Sequence, residues 1–416
     1  MIEIKASRVE LKKINLDFRP FQAWRYNSSK VEAGQVIAPP YDVISNADQE
    51  ALYAQSPHNV IRLILGKEPQ FHDRAARLWQ DWTQEGTLIQ DPRPAVYLYE
   101  QSFKHPLNSQ RLTRSALVGI LKLEEPGAVF RHEATFDAPK KDRMLLLEKT
   151  RTNLSPLFGL YRDSSRLKPI FQSAKKQNPI SEARDFQDVF HRLWAVERPE
   201  DQKLIHETLV SERILIADGH HRYETALEYQ RRMREKFPDP SGEAPFDFVM
   251  MALVATDDPG LLVLPTHRIV RSIPSEKEFL DRLYQNFEFT PYPDEKIFQT
   301  LSVQSKKEKV FGLILKKGSF LIRLKDTQEP SHPIEATVLS RFISGQIEYT
   351  RFSDEAVQAV RRKEAAAAFL MRAPEVDTIR QLAYSGQRMP QKTTYFYPKL
   401  ASGLLFYHHG PVKNGS

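Results

Sequence analysis

Ile214-Leu-Ile-Ala-Asp-Gly-His-His-Arg-Tyr-Glu-Thr-Ala-Leu227 is the stretch on which the reading of the fold turns. Its apolar run ends at Asp218-Gly219, which predicts a buried strand meeting a turn. Beyond the turn, Tyr223, Ala226, Leu227 and Gln230 recur three or four apart, the spacing of a helix face. A strand that passes directly into a helix exposes the first backbone N–H groups of that helix. Here they stand beside two histidines and an arginine, which is an environment for a phosphate. Gly219 lets the backbone approach an anion, and His220, His221 and Arg222 donate to its oxygens. Asp218, at the strand end, is a candidate to hold magnesium or to accept a substrate proton. The plain alternative makes Asp218 a helix cap and the His-His-Arg run a solvated face. Five small or polar groups gathered at one strand end exceed what a cap needs. A zinc site is disfavoured, because adjacent histidines point in different directions and no third ligand has helical metal spacing.

The totals narrow the classes. A chain of 416 residues has room for two or three packed units or one elaborated core. Hydrophobic residues at 41% and charged residues at 27% are ordinary for a soluble globular protein. The net charge of +7 and pI near 9.2 favour anionic ligands slightly, but the basic residues are spread along the chain. That distribution suits a solvated surface and argues against nucleic-acid binding. The absence of cysteine excludes disulfides, thiolate zinc sites and a cysteine nucleophile. Residues 1–8 alternate charge and apolarity without the apolar core of a signal peptide. The longest apolar run, Phe248 to Ala255, is too short to span a bilayer, so a cytoplasmic soluble protein is expected, with no membrane partner.

Along the chain, the stiff Ala38-Pro-Pro-Tyr-Asp42 loop precedes a short helix over 45–55, capped by Ser45 or Asn46 with Asp48 in its first turn. Residues 73–85 read as an amphipathic helix with Ala75, Leu78, Trp79 and Trp82 on one stripe and Gly86 at its end. Strands are expected at 95–99 and 116–123, and a helix over 144–150. The polar stretch from Leu167 to Pro199 reads as an excursion. The Pro238–Gly242 loop is the best internal boundary, which divides the chain into a core over 1–240 and a C-terminal α/β part over 241–416. Strands follow at 248–255, 310–315 and 320–324. The clearest helix spans 354–372, with Ser353 as N-cap, an alanine run inside it and Pro374 beyond. Residues 389–404 are extended and aromatic. No repeat and no helix-turn-helix is visible.

Further groups carry potential chemistry. His132-Glu133-Ala-Thr135 offers a base or a metal carboxylate, with a surface pair as the alternative. Asp42 is a second candidate base, or the cap of a structural Pro-Pro turn. Lys392 and Lys399 flank hydroxyls and aromatics, as a phosphate site or as exposed lysines on a strand. Neither the P-loop, nor the Rossmann glycine triplet, nor the nucleophile elbow occurs.

Arg19-Pro-Phe, Ala38-Pro-Pro-Tyr-Asp-Val-Ile, Asn59-Val-Ile-Arg-Leu, His132-Glu-x-Thr, Ala217-Asp-Gly-His-His-Arg-Tyr-Glu-Thr-Ala226 and Met389-Pro-x-Lys-x-Thr-x-Phe-x-Pro-Lys399, followed by Ser402-Gly-Leu, occur in this order. Together they resemble the prokaryotic domain-of-unknown-function 1015 family over nearly the whole chain. The Asp-Gly-His-His-Arg box is also similar to that of the ParB/sulfiredoxin-like superfamily, which includes nucleotide-binding partition proteins and free-serine kinases. The resemblance implies an α+β, mixed α/β nucleotide-binding core and, as the sharpest activity, phosphorylation of free L-serine from ATP, ADP or pyrophosphate with Mg2+. It implies that Gly219, His220, His221 and Arg222 cradle donor phosphates, and that Asp218 or Glu133 holds the metal while the other carboxylate serves as base. His132, Arg62, Lys392 and Lys399 would bind further anionic groups, and Asp42 is a second base. Two other readings follow: a CTP- or ATP-binding switch of the partition type, and a nucleic-acid binder. The missing helix-turn-helix weighs against both. The donor, the acceptor and the oligomeric state are left open by the sequence.

Overall fold

The computed structural model describes residues 15–124, 127–133, 137–238, 242–304, 308–325, 332–390 and 392–410. Residues 1–8, Thr135 and positions 239–241 of the expected boundary loop lie outside them. The fold is mixed α/β. The chain separates into two compact units, the first from the described residues of Met1–Phe130, Phe136–Leu261 and Pro398–Ser416, the second from those of Arg131–Thr135 and Leu262–Tyr397. The strand Phe248–Ala255 belongs to the sheet of the first unit, and the passage to the second comes at Leu261–Leu262.

The first unit is built on a mixed sheet. Its strands run in the order Val129–Phe130, Ile214–Asp218, Leu157–Tyr161, Phe248–Ala255, Arg111–Lys122, Val96–Lys104, Phe190–Val196 and Ser181–Arg184, with Phe18–Arg19 added against Arg111–Lys122. Ile214–Asp218 is antiparallel to Leu157–Tyr161, which runs parallel to Phe248–Ala255. Every residue of Phe248–Ala255 is buried, as an unbroken apolar run demands of a strand covered on both faces. The helices Asp137–Thr150 and His220–Lys236 pack against each other.

Local chemistry set several of these elements as expected. The helix Asn46–Gln55 starts at Ser45, whose hydroxyl accepts from the Asp48 N–H while the Asp48 carboxylate accepts from the Ser45 N–H, a capping box. The helix Phe71–Gln84 buries Ala75, Trp79 and Trp82, and Gly86 follows its end at φ +70°.

Two expectations are corrected. Leu167–Pro199 is no excursion. It contains the helix Lys168–Ala174 and the strands Ser181–Arg184 and Phe190–Val196, and the last pairs along its whole length with Val96–Lys104. In the last strand Arg192 is half-buried, while His191, Leu193, Trp194 and Val196 are buried. The helix expected over 354–372 spans only Ser353–Arg361, with Phe352 as N-cap, and Lys363 turns the chain at φ +65°. The alanine run instead enters the buried strand Ala367–Leu370. Pairing with a strand on each side and burial of all four residues override helix propensity.

The second unit centres on a six-stranded antiparallel sheet, in the order Phe287–Pro291, Gly318–Leu324, Val310–Leu315, Ala367–Leu370, His267–Ser272 and Gln346–Thr350. A ribbon pairs Leu262–Leu264 with Tyr395–Tyr397. No helix among the described residues is long and apolar enough to cross a membrane.

Candidate functional site

Asp218 ends its strand at a register irregularity against Leu157–Tyr161, which sits between Ile216 and Asp218. Such a bulge re-aims the side chain that follows it. Gly219 then takes φ +92° and leads into the helix His220–Lys236, whose first internal bond runs from the Tyr223 N–H to the Gly219 carbonyl. The N–H groups before Tyr223 therefore have no partner within the helix. A Cβ at Gly219 would lie 2.8 Å from Leu157 Cδ2 and 3.0 Å from Arg222 Nη2. We expect Gly219→Ala to cost about 1–3 kcal/mol through the left-handed backbone alone, and to push the Arg222 fork off its partner. Thermal melting together with donor affinity checks this; a variant unchanged in both would refute it.

Both oxygens of Asp218 are engaged by cations. Lys399 Nζ bonds Oδ1, and Arg222 Nη2 donates to Oδ2 at 3.0 Å. The three side chains are only 11–17% exposed. Burial by itself raises the Asp218 carboxyl, but the Lys399 and Arg222 charges, with a smaller contribution from His220, outweigh it and hold the group below the usual carboxylate range. Arg222 is fixed from behind as well, with Nη1 donating to the Pro156 carbonyl at 2.7 Å. Asp218, Arg222 and Lys399 are thus held in place by protein partners.

The segment carrying Lys399 is clamped. Arg114, 1% exposed, donates to the Pro398 carbonyl at 2.6 Å and to Gln101 Oε1, and Gln101 Nε2 donates to the Lys399 carbonyl at 2.9 Å. Three residues on, Ser402 exchanges backbone hydrogen bonds with Ala38 and meets Ser155 side chain to side chain at 2.6 Å. The Pro-Pro loop, the Asp-Gly-His-His-Arg turn and the Pro-Lys segment, far apart in the chain, therefore converge within the first unit. Tyr41 lies under the Arg143 guanidinium, 4.1 Å from ring centre. Burial raises its phenol, with the charges of Asp42 and Asp218 adding and those of Arg143 and Arg222 opposing. Beside it is a cavity of about 70 Å3 whose lining includes Tyr41, Arg143, Arg222 and Thr225.

Of the remaining candidates, Asp42 is exposed in the short 3-10 turn Tyr41–Val43. Arg62 faces the end of the helix Asn46–Gln55, donating to the Tyr53 carbonyl at 2.8 Å with its guanidinium 4.3 Å from the Tyr53 ring centre. His220 is buried and His221 half-buried at the helix start. His132, Glu133 and Lys392 belong to the second unit. There His132 Nε2 lies 3.1 Å from Thr394 Oγ1, which donates to Glu133 Oε1 at 3.3 Å, and Lys392 is exposed at φ +53°. Arg114 escaped sequence reasoning as a site residue, although it had a signal, a cation on the same strand parity as Ala116 and Val118.

A family model described as a protein of unknown function (DUF1015) matches residues 18–344. No curated protein matches the chain. Among solved structures, similarity is found to a free serine kinase in complex with AMP, at 15% identity, 67% of this chain, 86% of that chain and TM-score 0.36. A conserved hypothetical protein from Pyrococcus furiosus is similar at 15% identity, 68% and 91% coverage and TM-score 0.34. SbnI from Staphylococcus aureus, truncated at its C-terminus, is similar at 9% identity, 71% and 85% coverage and TM-score 0.36.

Proposed function

The chain belongs to the DUF1015 family, and we propose that it is a phosphotransferase acting on a small hydroxyl-bearing molecule, with free L-serine as acceptor and ATP, ADP or pyrophosphate as donor. The observation that carries this reading is Asp218 held between Lys399 and Arg222 at the start of a helix. Phosphoryl transfer asks a protein mainly to position the donor and to neutralise charge on its oxygens. Lys399 and Arg222 exceed Asp218 in charge, and the positive end of the helix dipole adds to the field. His221 stands at that start to donate to a phosphate oxygen.

The low carboxyl of Asp218 supports a role as a holder of cations over that of a base. A general base works best with a pKa near the operating pH, and Asp218 is held well below that. It therefore suits the holding of cations. Magnesium takes one or two carboxylates from a protein and completes its shell with phosphates and water. Asp218 fits that demand, whereas no three acidic or imidazole side chains gather into a self-sufficient metal site among the described residues. The ion would neutralise charge on the donor phosphates. We assign the acceptor proton to Asp42, the exposed carboxylate on the loop that pairs with Ser402. The choice of L-serine rests on the resemblance of the Asp-Gly-His-His-Arg box. Beside Arg222, a cavity of about 70 Å3 falls far below the few hundred Å3 of an ordinary ligand pocket, so a donor would lie across the open face.

The test is direct. Purified protein, magnesium and L-serine are combined with ATP, ADP or pyrophosphate, and phosphoserine is read by 31P NMR and mass spectrometry. Phosphoserine is expected from at least one donor, and His221→Ala should lose it while melting at the wild-type temperature. Nucleotide binding with slow hydrolysis and no phosphorylated amino acid would replace this reading with that of a nucleotide switch.

A further inference from the structure

The second unit holds a cavity of its own, about 270 Å3, whose lining includes Thr266, Arg268, Lys309, Glu335, Arg372 and Thr393. Its walls are unusually charged for their depth, with Arg268 4%, Arg372 8% and Lys309 9% exposed. Arg372 is satisfied: Nε donates to Glu335 Oε1 at 2.8 Å, and the two terminal nitrogens reach the Gln304 and Glu308 carbonyls at 2.9 and 2.6 Å. The other two cations are not neutralised in this way. Among the described residues, Lys309 donates to the Pro333 carbonyl at 2.9 Å, and Arg268 uses Nη1 on the Thr266 carbonyl and Met371 Sδ. Among the described residues neither has a carboxylate within ion-pair distance, and Glu335 acts on Lys309 and Glu133 on Arg268 only from farther off. Among the described residues the lining sets three cations, Arg268, Lys309 and Arg372, against two carboxylates, Glu335 and the exposed Glu375, so positive charge is in excess.

Burying an ammonium and a guanidinium without a counter-charge costs several kcal/mol each. The burial lowers both groups, Arg268 to about 10, which leaves that guanidinium charged at neutral pH. Thr266 adds a hydroxyl whose oxygen is buried with no hydrogen-bond partner among the described residues. A fold that only needed a core here would place apolar side chains of the same volume.

We propose that this cavity is an anion site for a compact oxyanion of the phosphate class, either inorganic phosphate or a small phosphomonoester. The excess of positive charge favours an anion, and the planar guanidinium of Arg268 suits two oxygens of one phosphate. Near the lower bound of small-molecule sites, the volume admits a metabolite-sized group. The site rests on second-unit residues alone and stands or falls apart from the phosphotransferase reading.

Isothermal titration of the full chain with inorganic phosphate, and separately with acetate, tests it. Because the turn at Asp218 also attracts anions, the background is Lys399→Met, which removes a cation there and leaves the second unit intact. In that background, saturable phosphate binding should persist. Adding Lys309→Gln should weaken it about tenfold or more, the worth of one charge-assisted hydrogen bond. The same change should leave the ligand-free melting temperature unchanged or higher, since an uncompensated buried charge is gone. Arg268→Lys, which keeps the charge and loses the fork, should weaken phosphate too, and it serves as the readout should Lys309→Gln fail to fold. Phosphate binding unaffected by either change, absent from the Lys399→Met protein, or matched by acetate would overturn the proposal. With a phosphomonoester in place of phosphate, tighter binding would identify the ester as the occupant.

Discussion

Asp218→Asn is expected to destabilise the first unit by about 3 kcal/mol, the low end of what breaking a buried ion pair costs, and to abolish donor turnover. The amide keeps the volume of the carboxylate, so a packing defect cannot explain the loss. What it removes is the negative charge between Lys399 and Arg222, leaving two cations confined together at 11% and 17% exposure. The pH dependence identifies the cause. In the folded protein the Asp218 carboxyl is held low, so the folded state binds fewer protons than the unfolded state as the pH falls past the ordinary carboxyl value near 4. The stabilisation is therefore complete above that value and fades as the pH drops through the folded-state pKa. Denaturation of wild type and Asp218→Asn should differ fully at pH 7 and converge on the acid side. A difference that persists unchanged to the lowest pH at which the fold survives would show that charge is not the cause. An Asn variant within about 0.5 kcal/mol of wild type would show that Lys399 and Arg222 need no counter-charge.

What was legible in the sequence follows from how local its physics is. The strand-to-helix passage at Ile214–Leu227, the capping box at Ser45 and Asp48 and the aromatic stripe of the Trp79 helix are decided within a few residues, and their signals survive in the chain. The alanine run at 365–368 misleads because intrinsic propensity favours a helix, while backbone pairing of Ala367 and Ala368 with Val310–Leu315 and His267–Ser272 makes its second half a strand. Nothing in Leu167–Pro199 by itself announces that Phe190–Val196 will find Val96–Lys104. The site shows the same division. Asp218, Gly219 and Arg222 could be read together because they share one turn. That Lys399 returns from the far end of the chain to bond Asp218 was legible only as one of several lysines near a family-like motif, and the clamping Arg114 only as a cation on the strand parity of Ala116 and Val118, with nothing to name its partners. His132 and Glu133, grouped with Asp218 on chemistry, belong to the other unit with Thr394.

Arg114→Met tests whether Lys399 is delivered by that clamp. Methionine nearly matches the length of the arginine stem, and replacing a buried cation by an apolar group is not costly in itself. The cost arises from what the guanidinium holds, namely the Pro398 carbonyl and Gln101 Oε1, whose partner Nε2 holds the Lys399 carbonyl. Stranding two buried acceptors costs about 1–3 kcal/mol each, so a loss of about 3 kcal/mol is expected in chemical denaturation. Arg114→Lys, with a charge but no fork, should fall between. Stability alone would not separate a positioning residue from a structural one, and donor affinity does. If Arg114 acts by placing Lys399, then Arg114→Met and Lys399→Met remove the same contribution to binding, and the double variant should bind no more weakly than Lys399→Met alone. Residues in one network couple in this non-additive way, whereas independent ones add within about 0.3–0.5 kcal/mol. Additive losses in affinity would confine Arg114 to the stability of the sheet, and Lys399 would then owe its place to Ser402 and its pairing with Ala38.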